Sequence, residues 1–157
     1  MRIRPAEPEE AEALAAIAWA AKASWGYSAT QLAAWRAELS PSPQSIRMRP
    51  TYVAEVESRI VGFYALDMDR EPVELAHLWI QPAFMRRGTG RSLLAHAVQF
   101  LAAGGHASLH IDADPGAEPF YLAQGAVRVG VTRAPIDSDP DRVRPGLLLT
   151  TSRSRAP

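Results

Sequence analysis

Apolar residues recur along the chain with two periods, and the change from one to the other divides it. After an extended opening at Arg2-Ile3-Arg4, Pro8 stands where a first helical residue would, behind Glu7. Leu14, Ile17, Ala18 and Ala21 follow at helical spacing, so one face of this helix is apolar. A turn at Trp25-Gly26-Tyr27 leads to a second helix, which Ser28 and Gln31 open as a capping box. Leu32, Trp35 and Leu39 give it a buried stripe, and Pro41 and Pro43 are expected to end it. From Tyr52 the texture is that of strands, at Tyr52–Val56, Ile60–Met68 and Val73–Ile80, with turns short enough for antiparallel hairpins. A helix follows with Leu94, Val98 and Leu101 on one face, and Gly104-Gly105 stops it. Ala107–Asp112 reads as a strand and Pro119–Gln124 as a short helix ended by Gly125. Val127–Ala134 and Leu147–Thr151 read as the last two strands, joined by a polar loop over Asp137–Pro145.

The order β-α-α-β-β-β-α-β-α-β-β predicts one α/β (α+β) domain over residues 1–151, with a frayed tail at 152–157. About seven strands form a mixed sheet with helices on both faces. The strand, helix and strand from Val73 to Asp112 favour a parallel pair with a right-handed crossover.

The length of 157 residues fits one domain, and 47% apolar with 22% charged residues is ordinary for a globular chain. Seventeen basic residues balance seventeen acidic ones, which removes any global argument for nucleic-acid or membrane partners. The absence of cysteine excludes disulfides, thiolate metal sites and a cysteine nucleophile. The opening Met1-Arg2-Ile3-Arg4-Pro5 lacks a signal-peptide core, and no apolar run reaches the roughly 18 residues of a membrane span. A cytoplasmic protein is expected.

Candidate chemistry lies at Arg86-Arg87-Gly88-Thr89-Gly90-Arg91, between a strand and a helix. Glycines let backbone amides approach a ligand, and the first amides of a helix have no helical partner, so the segment suits a phosphate group. A glycine turn with solvated arginines is the plainer alternative. The pattern Gly-x-x-x-x-Gly-Lys is absent, as is Gly-x-Gly-x-x-Gly, so neither a nucleoside-triphosphate loop nor a dinucleotide fold is expected.

The run Leu78-Trp79-Ile80-Gln81-Pro82-Ala83-Phe84-Met85-Arg86-Arg87-Gly88-Thr89-Gly90-Arg91-Ser92 resembles the coenzyme A motif of the GCN5-related N-acetyltransferases. A second stretch, Asp112-Ala113-Asp114-Pro115 through Phe120-Tyr121-Leu122-Ala123-Gln124-Gly125, resembles that family's next motif. Met85 departs from the family's Gln or Arg.

The resemblance implies acetyl-coenzyme A as co-substrate and an amine as acceptor, with direct transfer. Backbone groups of Leu78 and Ile80 would hold the pantetheine arm, and the backbone N–H of Trp79 or Ile80 would supply the oxyanion donor. Arg86, Arg87, Gly88, Thr89, Gly90, Arg91 and Ser92 would hold the pyrophosphate. The Val73–Ile80 and Ala107–Asp112 strands would part to admit the thioester, and the last two strands allow a homodimer.

Glu74 becomes the candidate base and Tyr121 the candidate acid for the departing thiolate. An amine of ordinary pKa about 10.4 needs a proton removed before it attacks. Trp25 and Tyr27 are candidate acceptor contacts. His77, three residues beyond Glu74 on one strand, is expected on the opposite face unless a bulge intervenes, and is a weaker candidate contact. His110 and Asp112 share a strand face without an evident third ligand, so no metal is expected. His96 and His106 read as surface residues, and Arg142 and Arg144 as solvated loop charges. A non-catalytic acyl-coenzyme A sensor and a nucleotide-binding protein are the rival expectations.

Overall fold

Leu14 and Ala18 on the first helix, Ile46 on the fourth and Val53 and Phe63 on the sheet share one buried cluster, and this cluster fixes one face of the protein. In the computed structural model, which describes residues 1–151, the helices on this side are α1 (Ala11–Ala23), α2 (Ala29–Ala34), α3 (Arg36–Leu39) and α4 (Pro43–Met48). The opposite face is covered by α5 (Thr89–Ala103) and α6 (Glu118–Ala123), with Leu93, Ala97 and Leu101 packed against Val61, Leu66 and Leu109. The tail expected to fray lies outside the described residues.

Between the two layers lies one seven-stranded sheet: β1 (Arg2–Pro5), β2 (Thr51–Val56), β3 (Arg59–Asp67), β4 (Val73–Ile80), β5 (Ser108–Asp112), β6 (Val127–Arg133) and β7 (Val143–Thr150). Their spatial order is β1-β2-β3-β4-β5-β7-β6. Only β4 and β5 pair in parallel, as the intervening helix requires; every other pair is antiparallel.

The second predicted helix is instead three short ones. Trp35 leaves helical geometry at ψ 0°, which divides α2 from α3. Pro43 does not terminate a helix but occupies the first turn of α4, where a missing N–H costs nothing, and Ser42 Oγ accepts from Ser45 N at 3.0 Å. At the Ser28 cap only half of the expected box forms: Ser28 Oγ accepts from Gln31 N at 3.1 Å. The last strand begins at Val143, so the final three residues of the expected loop, Val143 to Pro145, are sheet.

Two histidines expected at the surface are partly buried. His96 Nδ1 lies 2.7 Å from the Tyr64 hydroxyl, with its ring against Tyr52, and burial lowers its pKa. His106 is held where its carbonyl accepts from the Thr151 hydroxyl.

Candidate active site

The site follows from three departures of the backbone from regularity. The first is a bulge in β4. Ala65 faces His77 in register while Leu66 faces Leu75, so Ala76 is an extra residue. The bulge shifts the alternation by one, and Glu74 and His77, expected on opposite faces, line the same cavity.

The second departure is the parting of β4 from β5. Their pairing consists of Val73 with Leu109 and Glu74 with His110, and it stops there. Beyond Glu74 the strands diverge, as expected of the thioester gap. Gln81 N–H donates to Val61 O at 2.8 Å, toward β3. Strand alternation turns Trp79 the same way and leaves the backbone groups of Leu78 and Ile80 facing the gap. Of the two amides considered for an oxyanion, that of Ile80 faces the gap and that of Trp79 faces β3.

The third is the turn before α5. Arg86 and Gly88 both have left-handed φ values, +60° and +83°. Such alternation aims successive amides to one side, as an anion nest does. The first hydrogen bond of α5 runs from Ser92 N to Gly88 O at 3.0 Å. The amides of Gly88, Thr89, Gly90 and Arg91 therefore have no partner within the helix, while that of Ser92 is already engaged.

A cavity of about 420 Å³ joins these features. Leu78, Trp79 and Ile80 wall it on the strand side, and Arg86, Gly88, Gly90 and Arg91 on the turn side. Met85, Trp25 and Tyr121 also border it. Arg87 instead lies over the Phe84 ring, 5.2 Å from its centroid, and Thr89 is buried beneath the turn. Tyr121 is 7% exposed, stands edge-on to Phe120 at 5.1 Å, and its hydroxyl has no hydrogen-bond partner among the described residues. Burial raises the pKa of its phenol well above 10.

A second cavity, about 390 Å³, lies across Trp79 from the first. Glu74 borders it, and its Oε2 lies 4.0 Å from His110 Nδ1. His77 Nδ1 accepts from the Trp79 indole N–H at 3.0 Å, and burial, with a smaller effect of Arg49, lowers its pKa to about 4. The imidazole is therefore neutral at pH 7, with its proton on Nε2. Among the described residues no three His, Asp or Glu side chains gather as a metal site would require.

The deep end of this cavity holds a cluster that motif and spacing did not single out. Asp114 Oδ2 accepts from Lys22 Nζ at 2.7 Å, the Tyr27 hydroxyl at 2.7 Å and Arg142 Nη2 at 3.2 Å. Arg142, expected to be solvated, is 7% exposed, and its Nη1 donates to Ala134 O. Arg144 Nη2 reaches Asp112 Oδ2 at 3.0 Å. Lys22 Nζ lies 4.5 Å from the Trp35 ring centroid and 5.1 Å from that of Tyr27. Tyr27 is thus committed to this cluster and to an edge contact with Trp35 at 4.8 Å. Trp25, 38% exposed, stands 6.3 Å from Trp79, which borders both cavities. A signal for Lys22 was available: it is the single lysine beside sixteen arginines, and Leu14, Ala18 and Lys22 fall at intervals of four on the buried face of α1.

Several known proteins share this fold. The chain resembles in fold a GCN5-related N-acetyltransferase from Rhodopseudomonas palustris (TM-score 0.79, 23% identity, 95% of this chain and 94% of that one). It also resembles the PaiA N-acetyltransferase of Thermoplasma acidophilum, solved in complex with coenzyme A (TM-score 0.74, 18% identity, 95% and 98%). In sequence it is 40% identical over 73 residues to a mycothiol acetyltransferase of Cellulomonas flavigena, a match covering 45% of this chain and only 21% of that protein. A family model described as "Acetyltransferase (GNAT) domain" matches residues 8–134. With the match spanning most of the chain and the fold agreeing throughout, the chain belongs to the GNAT acetyltransferase family.

Proposed function

We propose that this protein transfers an acetyl group from acetyl-coenzyme A to a primary amine by direct attack, with Glu74 and Tyr121 handling the protons. The observation that carries the reading is the parting of β4 from β5 immediately after Glu74, beside a turn of unpaired amides. The residues present fit the co-substrate. Backbone groups of Leu78 and Ile80 extend the sheet for a pantetheine arm. Gly88, Thr89, Gly90 and Arg91 offer amides to a pyrophosphate, with Arg86, Arg87 and the Ser92 hydroxyl around them. A Cβ on Gly90 would lie 3.5 Å from the Phe120 ring and 3.7 Å from Ile80, in the space the carrier would take.

Acetyl-coenzyme A supplies the activated acyl group. Glu74 takes a proton from the acceptor amine, directly or through water, in the cavity it borders with His77. The Ile80 amide faces the gap where negative charge develops on the acyl oxygen. Tyr121, kept neutral by burial, gives its proton to the leaving sulfur. Trp25 and His77, with its Nε2–H available, border the path of the acceptor, while Tyr27 acts through Asp114.

The test is thiol release with a panel of amines. Wild-type protein releases thiol with at least one of them, and Glu74→Gln lowers that rate by about 10²-fold or more, the scale of acid–base catalysis. Binding of coenzyme A without release from any amine would establish the sensor reading instead.

A homodimer and a cytoplasmic setting belong to the same proposal. Edge strand β6 exposes Val127, Val129 and Val131 at 56–58%, and a second copy is the occupant proposed for this edge. Sedimentation should give a dimer that Val131→Lys dissociates; a wild-type monomer at 100 μM would refute it.

A further inference from the structure

The lining of the second cavity carries four cations and four carboxylates, but their placement is uneven, with an excess of cations around Asp114. Lys22 and Arg142 both lean on Asp114, and all three side chains are 11% exposed or less. Two buried cations therefore share one buried carboxylate. Asp112 is taken by Arg144, and Arg133, which also borders the cavity, has no ion pair among the described residues. The remaining carboxylates of the lining, Glu38 and Glu74, form no ion pair with Lys22, Arg133, Arg142 or Arg144 among the described residues. Moreover, the Nε atoms of Arg142 and Arg144 are buried without a partner among the described residues. Buried charge that lacks a counter-ion is costly, and the cost is relieved by whatever anion can reach it. Burial and, more weakly, Arg142 and Arg144 hold the Lys22 amine below its ordinary pKa, against the pull of Asp114.

An acceptor with only an amine would bring a third cation toward this excess. An acceptor with a carboxylate a few bonds from its amine would answer both ends: amine toward Glu74, carboxylate toward Lys22, Arg142 and Arg144. We infer that the acceptor is a small amino acid-like zwitterion, its carboxylate recognised by the Lys22–Arg142–Arg144 group. The cavity limits its size: at about 30 Å³ per water of liquid volume, about 390 Å³ holds roughly a dozen non-hydrogen atoms. The inference rests on the transferase reading above and specifies its acceptor.

The experiment compares matched acceptors under saturating acetyl-coenzyme A: ω-amino acids against n-alkylamines of equal carbon count, and α-amino acids against their amides. At least one carboxylated member should exceed its uncharged partner by 10-fold or more in kcat/KM, expressed in KM. Arg142→Gln should reduce that advantage to about 3-fold or less. Because that variant could misfold, calorimetric titration of the wild-type protein with hexanoate, which has no amine, reads the anion contact without turnover and should give saturable heat. Equal rates for every pair together with no heat from hexanoate overturns the inference while leaving the transferase intact. Thiol release from no acceptor, with hexanoate still bound, would instead strike the transferase reading alone.

Discussion

Replacing Tyr121 with Phe separates chemistry from packing because only the chemistry should move. The ring is nearly buried against Phe120, and the hydroxyl has no protein partner among the described residues. Removing it leaves every apolar contact in place, and because the hydroxyl opens on the cavity and is not one of the buried polar atoms without a partner, its loss leaves the packing energy nearly unchanged. The melting temperature should stay within about 4 °C of wild type, at roughly 2–4 °C per kcal/mol for a chain of this size. If the phenol donates to the departing thiolate, kcat should fall by about 10²-fold or more, about 2.7 kcal/mol on the barrier. Coenzyme A affinity should hold within a factor of two, because the hydroxyl acts only as the bond to sulfur breaks. The assay is steady-state thiol release with a working amine, alongside calorimetry for coenzyme A and a thermal melt. A variant turning over within a factor of two of wild type removes Tyr121 from the reaction. A slow variant that also melts more than about 4 °C lower would mark the hydroxyl as structural. Burial raises the phenol's pKa, so the native state favours the protonated form. Stability from this source is present below about pH 10 and is lost as pH rises toward the native value.

Gly90→Ala should fold as well as wild type, since its new Cβ meets only ordinary contacts at 3.5 Å and beyond, yet coenzyme A should bind at least 10-fold more weakly by calorimetry. Asp114→Asn leaves Lys22 and Arg142 buried without a carboxylate and should cost about 3–5 kcal/mol in urea unfolding; a loss under about 1 kcal/mol would show the pair to be solvated. His77 has a pKa lowered from 6.5 to about 4, so the unfolded chain takes up a proton first and stability should fall as pH drops from about 6.5 toward 4. At 1.36 kcal/mol per tenfold in proton affinity, the loss is at most about 3 kcal/mol, and His77→Asn should remove that part of the pH dependence.

Strands and helices with strong local patterns were legible from the sequence. The hairpins from Thr51 to Ile80 alternate over enough residues to announce themselves, and Gly88 marks the turn before α5 because its left-handed φ is a local need for glycine. Pro43 is ambiguous in the sequence because proline both follows helices and starts them; Ser42, three residues before Ser45, distinguishes the two cases. Arg142 could not be read as buried, because its partners Tyr27 and Asp114 lie 115 and 28 residues away in sequence. No alternation near Pro145 hinted that β7 begins at Val143, since its pairing with β6 and not its own pattern extends it.

The bulge at Ala76 shows why a correct fold assignment left the site half described. A strand's own sequence states which residues alternate but not where its neighbour forces an extra one; that depends on the register against β3, where Leu66 takes Leu75 and Ala65 takes His77. One added residue has two effects. It returns His77 to the face of Glu74, and it gives the strand the local twist that bulges impose, just where pairing to β5 ends. Had β4 continued regularly, Leu78 and Ile80 would have spent their gap-facing backbone groups on β5, and no opening would separate Glu74 from Tyr121. The same irregularity therefore sits where the gap opens and the free backbone edge begins, and it brings His77 beside the Glu74 carboxylate. A deletion of Ala76 that kept the protein folded should abolish coenzyme A binding and thiol release together, because a closed sheet has no room for the carrier.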